Sequence, residues 1–234
     1  MNFFYKNAVN VFTDASLATI EHNGSPMRVV CPAYVTTMGG GILEYGSRVF
    51  SKTTNSYGEI FAILLGLQSL LRFADSDLFL NIYSDSEISV KGLTIWLLDW
   101  YQKGKDKFIL SAKSGGPVRN QEVFLEIVRL IVKHNVHVSF YNVLGHTNKN
   151  SVKDMFKFSH YFYKSNNLYH MSMPTEILQE MAGFNDMVDN MSRDTLYKVI
   201  KSEDPLKYKK KNPTSIYWFP KDDDINKYYQ LINQ

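Results

Sequence analysis

The strongest constraint on this chain is the order in which its apolar periods change. Ala8 to Asp14 alternates with period two and ends in Phe12-Thr13-Asp14-Ala15-Ser16, as a strand running into a loop would. Gly39-Gly40-Gly41-Ile42-Leu43-Glu44, a Tyr45-Gly46 turn and Arg48-Val49-Phe50-Ser51 then predict an antiparallel hairpin. From Ser56 to Phe73 the period becomes helical: Ile60, Ile63, Leu64, Leu67 and Leu71 share one face, and Ser56 and Glu59 have capping-box spacing. Leu78 to Tyr83 is a short apolar strand delivering Ser84-Asp85-Ser86. Helices over Glu87 to Trp100 and about Asn120 to His134 follow, and Val136 to Leu144 is a further strand. Hairpins first and long crossovers afterwards specify an α/β fold on a mixed sheet, because parallel neighbours need such crossovers.

The remainder is less patterned. No strand is assigned to the segment with Gly24, Pro26 and Pro32, and no firm structure to the polar and aromatic stretch from His146 to about His170. Pro174 to Ile200 reads as helix with a break near Gly183-Phe184. The tail is low in regular pattern and contains Lys207, Lys209, Lys210 and Lys211, then Asp222-Asp223-Asp224. With 44% hydrophobic residues the chain can bury a sizeable core, so global disorder is excluded. The 26 Lys and Arg are nearly balanced by 23 Asp and Glu, so any case for a nucleic-acid partner rests on local clusters. A lone Cys31 excludes an intramolecular disulfide and a cysteine-based zinc site. With no signal-like N-terminus and no membrane-length apolar run, the expected setting is intracellular and cytoplasmic, with no membrane partner.

Single acids in this chain have ordinary readings. Asp14 fits a loop residue, Asp85 a helix cap before Glu87, Glu59 a capping box, and Asp189 an i,i+4 partner of Arg193. As a set they read differently. Two strands deliver acids at their ends, where crevices form in α/β sheets. Gathered carboxylates repel one another, and a hard divalent cation such as Mg²⁺ or Mn²⁺ relieves that repulsion.

The motifs around these acids resemble those of type 1 ribonuclease H. Phe12-Thr13-Asp14-Ala15-Ser16 is similar to the family's T-D-G-S. Thr53-Thr54-Asn55-Ser56-Tyr57-Gly58-Glu59 resembles T-T-N-x-x-x-E, and Tyr83-Ser84-Asp85-Ser86 with Val90, Gly92 and Trp96 resembles the central S-D-S segment. Val143-Leu144-Gly145-His146 looks like V-x-G-H, and Asn185-Asp186-Met187-Val188-Asp189 like N-x-x-x-D. The five matches keep the family's order from about Val9 to Arg193. The resemblance implies a ribonuclease H-like fold, a five-stranded mixed sheet flanked by helices. The domain would span 1–197 with an insertion at about 150–180, followed by a C-terminal extension over 198–234.

It also implies hydrolysis of the RNA strand of an RNA–DNA hybrid, in the setting of DNA replication, leaving 5′-phosphate and 3′-hydroxyl ends. Two Mg²⁺ ions, with Mn²⁺ as a substitute, would be held by Asp14, Glu59, Asp85 and Asp189. Asp186, and after it Asp194, compete for the fourth place. His146 would assist proton movement or product departure, a role that suits an imidazole; His160 and His170 have no such context. Ser16, Thr54, Asn55 and Ser56 would contact the substrate, and Asn120 continues the likeness. Trp96 and Trp100, followed by Lys103, Lys105 and Lys107, resemble a helix and basic protrusion that grip the DNA strand. Core packing is the ordinary reading of the tryptophans, and a solvated loop that of the lysines.

Three departures stand out. Ala15 replaces a common glycine, Glu87 stands where a glutamine is frequent, and the stretch between His146 and Asp189 is lengthened. The insertion and the tail are the segments that offer a replication protein a contact. Two other readings stay open: a DNA nuclease or junction resolvase on the same fold, and a non-enzymatic nucleic-acid-binding module.

Overall fold

The computed structural model describes residues 8–71, 79–202 and 218–232. Its sheet is built on a long hairpin, β1 (Val9–His22) and β2 (Ser25–Met38). Asn23 and Gly24 both take positive φ, 51° and 72°, as a two-residue turn matched to strand twist requires. β3 (Gly41–Ser47) pairs antiparallel with β2 after a turn at Gly39-Gly40, and the two-residue β4 (Phe50–Ser51) also pairs with β2. On the other side of β1, β5 (Phe79–Ser84) and then β6 (His137–Asn142) add in parallel, giving the order β3-β2-β1-β5-β6.

The strand expectations need two corrections. Tyr45-Gly46 is not a turn: it lies within β3, and Phe50-Ser51 pairs with β2 rather than with Gly41–Glu44. The segment with Pro26 and Pro32 is a full 14-residue strand. Pro32 has no N–H to give. It sits where β3 ends opposite Ala33 and β4 has not yet begun, so no ladder bond is lost there.

Helix α1 (Asn55–Leu70) packs on one face of the sheet, with Ile60, Ile63 and Leu67 fully buried, each contributing about 1.5–3 kcal/mol. Its N-cap is Thr54, whose hydroxyl accepts the Tyr57 N–H, so the predicted Ser56–Glu59 capping box is not formed. Glu59 is thereby left for another role. α2 (Glu87–Lys91) starts on the Ser86 cap, passes through a π-helical turn at Gly92–Trp96, and continues as α3 (Leu97–Gly104). α4 (Gln121–His134) completes this face.

The opposite face carries α5 (Val152–Ser165), in the stretch given no structure from sequence, and α6 (Thr175–Ser202). α6 runs without the expected break at Gly183. Phe12, Tyr83, Phe158, Phe162, Met181 and Val188 form the core there. The tail is also more ordered than its pattern suggests. α7 (Asp222–Ile232) buries Ile225, Tyr228, Leu231 and Ile232 in the core that α1 and α4 form on the first face, beside α4 and β6, and the Tyr228 hydroxyl donates to Leu93 O at 3.1 Å. Lys207, Lys209, Lys210 and Lys211 lie outside the described residues, as do Phe73 and Leu78. Among the described residues no helix is long and apolar enough to cross a membrane.

Candidate active site

Strand register creates the site. The parallel pairing of β1 with β5 ends at Thr13 opposite Ser84, so Asp14 and Asp85 are the next residue on each of two neighbouring strands. β1 does not end there; it continues to His22, and Asp14 lies inside the strand rather than at its terminus. Asp14 follows Phe12 by two residues and so shares its face, the one covered by α6. Asp189 comes from that helix.

Glu59 arrives from the other side because α1 approaches the sheet closely. A Cβ on Gly58 would lie 2.5 Å from Val30 and 2.8 Å from the Ala15 methyl, so only glycine permits this seating. Ala15, one of the departures noted in the sequence, is thus the surface on which the start of α1 rests. Gly145 does the same for Asp85: a Cβ there would stand 2.5 Å from Asp85 Oδ2. The glycines preceding Glu59 and His146 were visible in the sequence, but their close-approach role was not read from it.

One oxygen each of Asp14, Glu59 and Asp85 lies within 4.8 Å of the others. Burial, then the charges of Asp85 and Asp189, push the Asp14 carboxyl up to about 7, against the pull of the Ala15 N–H, which donates to Asp14 Oδ1 at 2.7 Å. Burial, then Asp14 and Asp85, raise Glu59 well above the ordinary carboxylate range. Burial is the leading cause for Asp85 too, opposed by its own backbone and by His146. Asn55 donates to Glu59 Oε1 at 2.9 Å, but Glu59 Oε2 and Asn55 Oδ1 are sealed from solvent with no hydrogen-bond partner. Buried acceptors without a donor are what a cation would satisfy, and hard oxygen donors suit Mg²⁺ or Mn²⁺. The residues present therefore fit a divalent metal.

Asp189 lies at the edge of this group. Its Oδ2 accepts from Arg193 at 2.8 Å and stands 3.3 Å from His146 Nδ1, so the sequence-level i,i+4 pair exists inside the cleft. Asp186 is exposed and accepts from Asn190. His146 takes a left-handed conformation, φ 53°, and its side chain is 78% exposed. A cleft of about 460 Å³ is lined by these acids with Ser16, Asn55, His146 and Arg193. Ser16 meets Ser192 of α6 at 2.7 Å, which ties β1 to the helix carrying Asp189.

The other sequence-selected residues lie outward. Ser56 is exposed at the start of α1. Trp96 and Trp100 contact each other at 5.8 Å, and Trp100 packs edge-on against Phe124 of the core. Lys103 pairs with Asp99 at 2.7 Å and Lys105 approaches Asp222 at 3.6 Å, whereas Lys107 is exposed. Asn120 precedes α4 with φ 60° and makes no side-chain cap. Glu87 pairs with Lys91, which offsets the negative charge that set it apart.

The family described as RNase H matches residues 6–157, well over half of the chain. Ribonuclease H of Haemophilus influenzae is 28% identical over 113 residues, covering 46% of this chain and 66% of that protein. Ribonuclease H of Pseudomonas fluorescens is 28% identical over 142 residues, covering 60% and 82%. Among solved structures, LC9-RNase H1, a type 1 RNase H with the type 2 active-site motif, is 18% identical with a TM-score of 0.43, covering 74% of this chain and 85% of that one. On its family match, the chain belongs to the RNase H family.

Proposed function

We propose that this chain is an endoribonuclease that hydrolyses the RNA strand of RNA–DNA hybrids with two divalent ions, Mg²⁺ or Mn²⁺, leaving 5′-phosphate and 3′-hydroxyl ends. The observation that carries this reading is the convergence of Asp14, Glu59 and Asp85 within 4.8 Å, although burial, with neighbouring carboxylates, raises the proton affinity of each. Family membership supports the substrate class.

Asp14, Glu59 and Asp85, with Asp189 at the rim, are the ligands in this reading. Divalent ions held there supply an activated water and charge stabilisation at the scissile phosphate. The protein's own groups prepare the site. The Ala15 N–H and the Asn55 amide orient Asp14 and Glu59, and Arg193 with His146 holds Asp189. The exposed imidazole of His146 stands at the cleft mouth, where it can pass a proton to the departing oxygen or hasten product release. Thr54 and Ser56, at the start of α1, suit backbone contacts. Ser16, Trp96, Trp100, Lys103, Lys105, Lys107 and Asn120 complete the proposed substrate path.

The test is a labelled panel of hybrid, duplex DNA, duplex RNA and four-way junction with Mg²⁺ or Mn²⁺. Cleavage confined to the hybrid and abolished by Asp85→Asn is expected. An intact hybrid beside a cut junction would replace this reading with the junction-resolvase one.

A further inference from the structure

The described ion pairs engage Lys91, Lys103, Lys105, Arg129, His146 and Arg193. Two of the three lysines of the predicted basic protrusion are thus partly neutralised by the protein's own carboxylates. The basic groups of α5 are not: among the described residues, Lys153, Lys157 and Lys164 face no carboxylate within ion-pair distance. On a helix, Lys153, Lys157, His160 and Lys164 recur at i, i+4, i+7 and i+11, so they form one stripe about 16 Å long. All four are exposed, on the side opposite the buried Met155, Phe158 and Phe162.

The stripe is tied to the helix that carries Asp189. Lys149, just before α5, lays its side chain on Gly183 of α6, its Nζ 3.2 Å from where a Cβ would be. Gly183 precedes Asp189 by six residues of the same helix, a rise of about 9 Å. A row of unpaired basic side chains therefore starts against the helix that carries Asp189 and continues along α5. We propose that this stripe is a second nucleic-acid contact, which takes the backbone of the substrate beyond the cleft through its phosphates. The inference rests on the hybrid-cleaving reading and adds to it a surface separate from the Trp96–Lys107 segment. A polyanionic strand fits better than a lipid surface. The apolar face of α5 is buried in the core, leaving only Val152 and Phe156 as large exposed apolar groups on the helix.

The test compares Lys153→Gln/Lys157→Gln/Lys164→Gln with its parent, both carrying Asp85→Asn so that binding is read without cleavage. Affinity for a labelled hybrid of about twenty base pairs is measured across a fourfold range of salt with Mg²⁺ present. Each neutralised phosphate contributes roughly 0.7–0.9 to the slope of log K against log salt, so the triple variant is expected to lose about 2 to 3 from that slope. Over the fourfold range the parent's affinity would then fall about 20- to 40-fold more than the variant's. Equal slopes, with unchanged melting of both proteins, would overturn the assignment of α5 while leaving cleavage by the Asp85 protein intact. A parent that neither binds nor, with Asp85 restored, cuts hybrid would remove both readings. Binding to phosphatidylserine vesicles that is lost in the variant while the hybrid slope stays the same would assign the stripe to a membrane instead.

Discussion

Replacing Asp14 by Asn isolates the energetic character of the site. Asp14 is 6% exposed, and its carboxyl is raised from 3.8 to about 7 by burial and by Asp85 and Asp189. Holding it ionised in the metal-free fold therefore costs about 4 kcal/mol. Because the neighbouring carboxylates share the repulsion, about half of that is the gain expected from Asp14→Asn, and Asn still accepts the Ala15 N–H. The sign follows from linkage. A group whose folded pKa is raised stabilises fully below its unfolded value and loses that contribution as pH rises through the folded value. In a chelator, wild type should lose stability relative to Asp14→Asn between about pH 4 and pH 7. About 2 kcal/mol corresponds to a melting temperature roughly 4–8 °C higher for the variant at pH 8, with the two curves meeting near pH 4. Adding Mg²⁺ at pH 8 should raise the wild-type midpoint and leave the variant nearly unmoved. Calorimetry or near-ultraviolet dichroism across pH reads all of this. A variant that melts below wild type at pH 8 in chelator, or a difference independent of pH, would refute the claim that these acids oppose one another in the native state.

Gly145→Ala should push Asp85 out of place, because the new Cβ would lie 2.5 Å from Asp85 Oδ2. The expected result is a rise of tenfold or more in the Mg²⁺ concentration for half-maximal cleavage, with little change in melting at pH 5. His146→Ala should lower kcat by about 10²-fold, and by more under conditions where product release is slow, because the exposed imidazole acts at the cleft mouth rather than in the core. Pre-steady-state kinetics separates the two steps. Ile225→Ala, in the tail helix and 2% exposed, should cost about 2–4 kcal/mol in denaturant unfolding without changing Mg²⁺ affinity. Unchanged stability would mean that α7 does not belong to the folding unit.

The acids were legible because their motifs combine short-range features: a strand end, a helix start, a glycine before a histidine. Their surroundings were less legible for two physical reasons. Pro26 and Pro32 hid β2, although Asn23-Gly24 was a direct hairpin signal. Pro32 is tolerated only because β3 stops and β4 starts beside it, a fact of tertiary register. Similarly, Ser56 and Glu59 satisfied a capping rule that Thr54 took over two residues earlier, which leaves Glu59 beside Asp14 and Asp85. The helices α5 and α7 were missed where aromatic residues obscure the period. Phe156 and Phe158 are two apart, yet one is exposed and the other fully buried.

Close approach at Gly58 and Gly145 explains why stability alone does not account for this arrangement. Both glycines lie next to the acidic cluster: Gly58 lets α1 rest on Val30 and Ala15 just before Glu59, and Gly145 brings backbone against the Asp85 carboxylate, among acids that burial and mutual charge already disfavour. A fold serving only to bury apolar surface would relax these contacts, since an alanine at either position and one neutral side chain at Asp14 would reduce chain entropy and repulsion together. Helix α1 instead seats Glu59 with one oxygen held by Asn55 and the other left without a donor. That unsatisfied oxygen, on a carboxylate that lies within 4.8 Å of Asp14 and Asp85, is a standing energetic deficit that a bound cation removes. The strain thus lies in the same few atoms as the proposed chemistry, so substitutions that stabilise the apo protein are expected to be the ones that silence it.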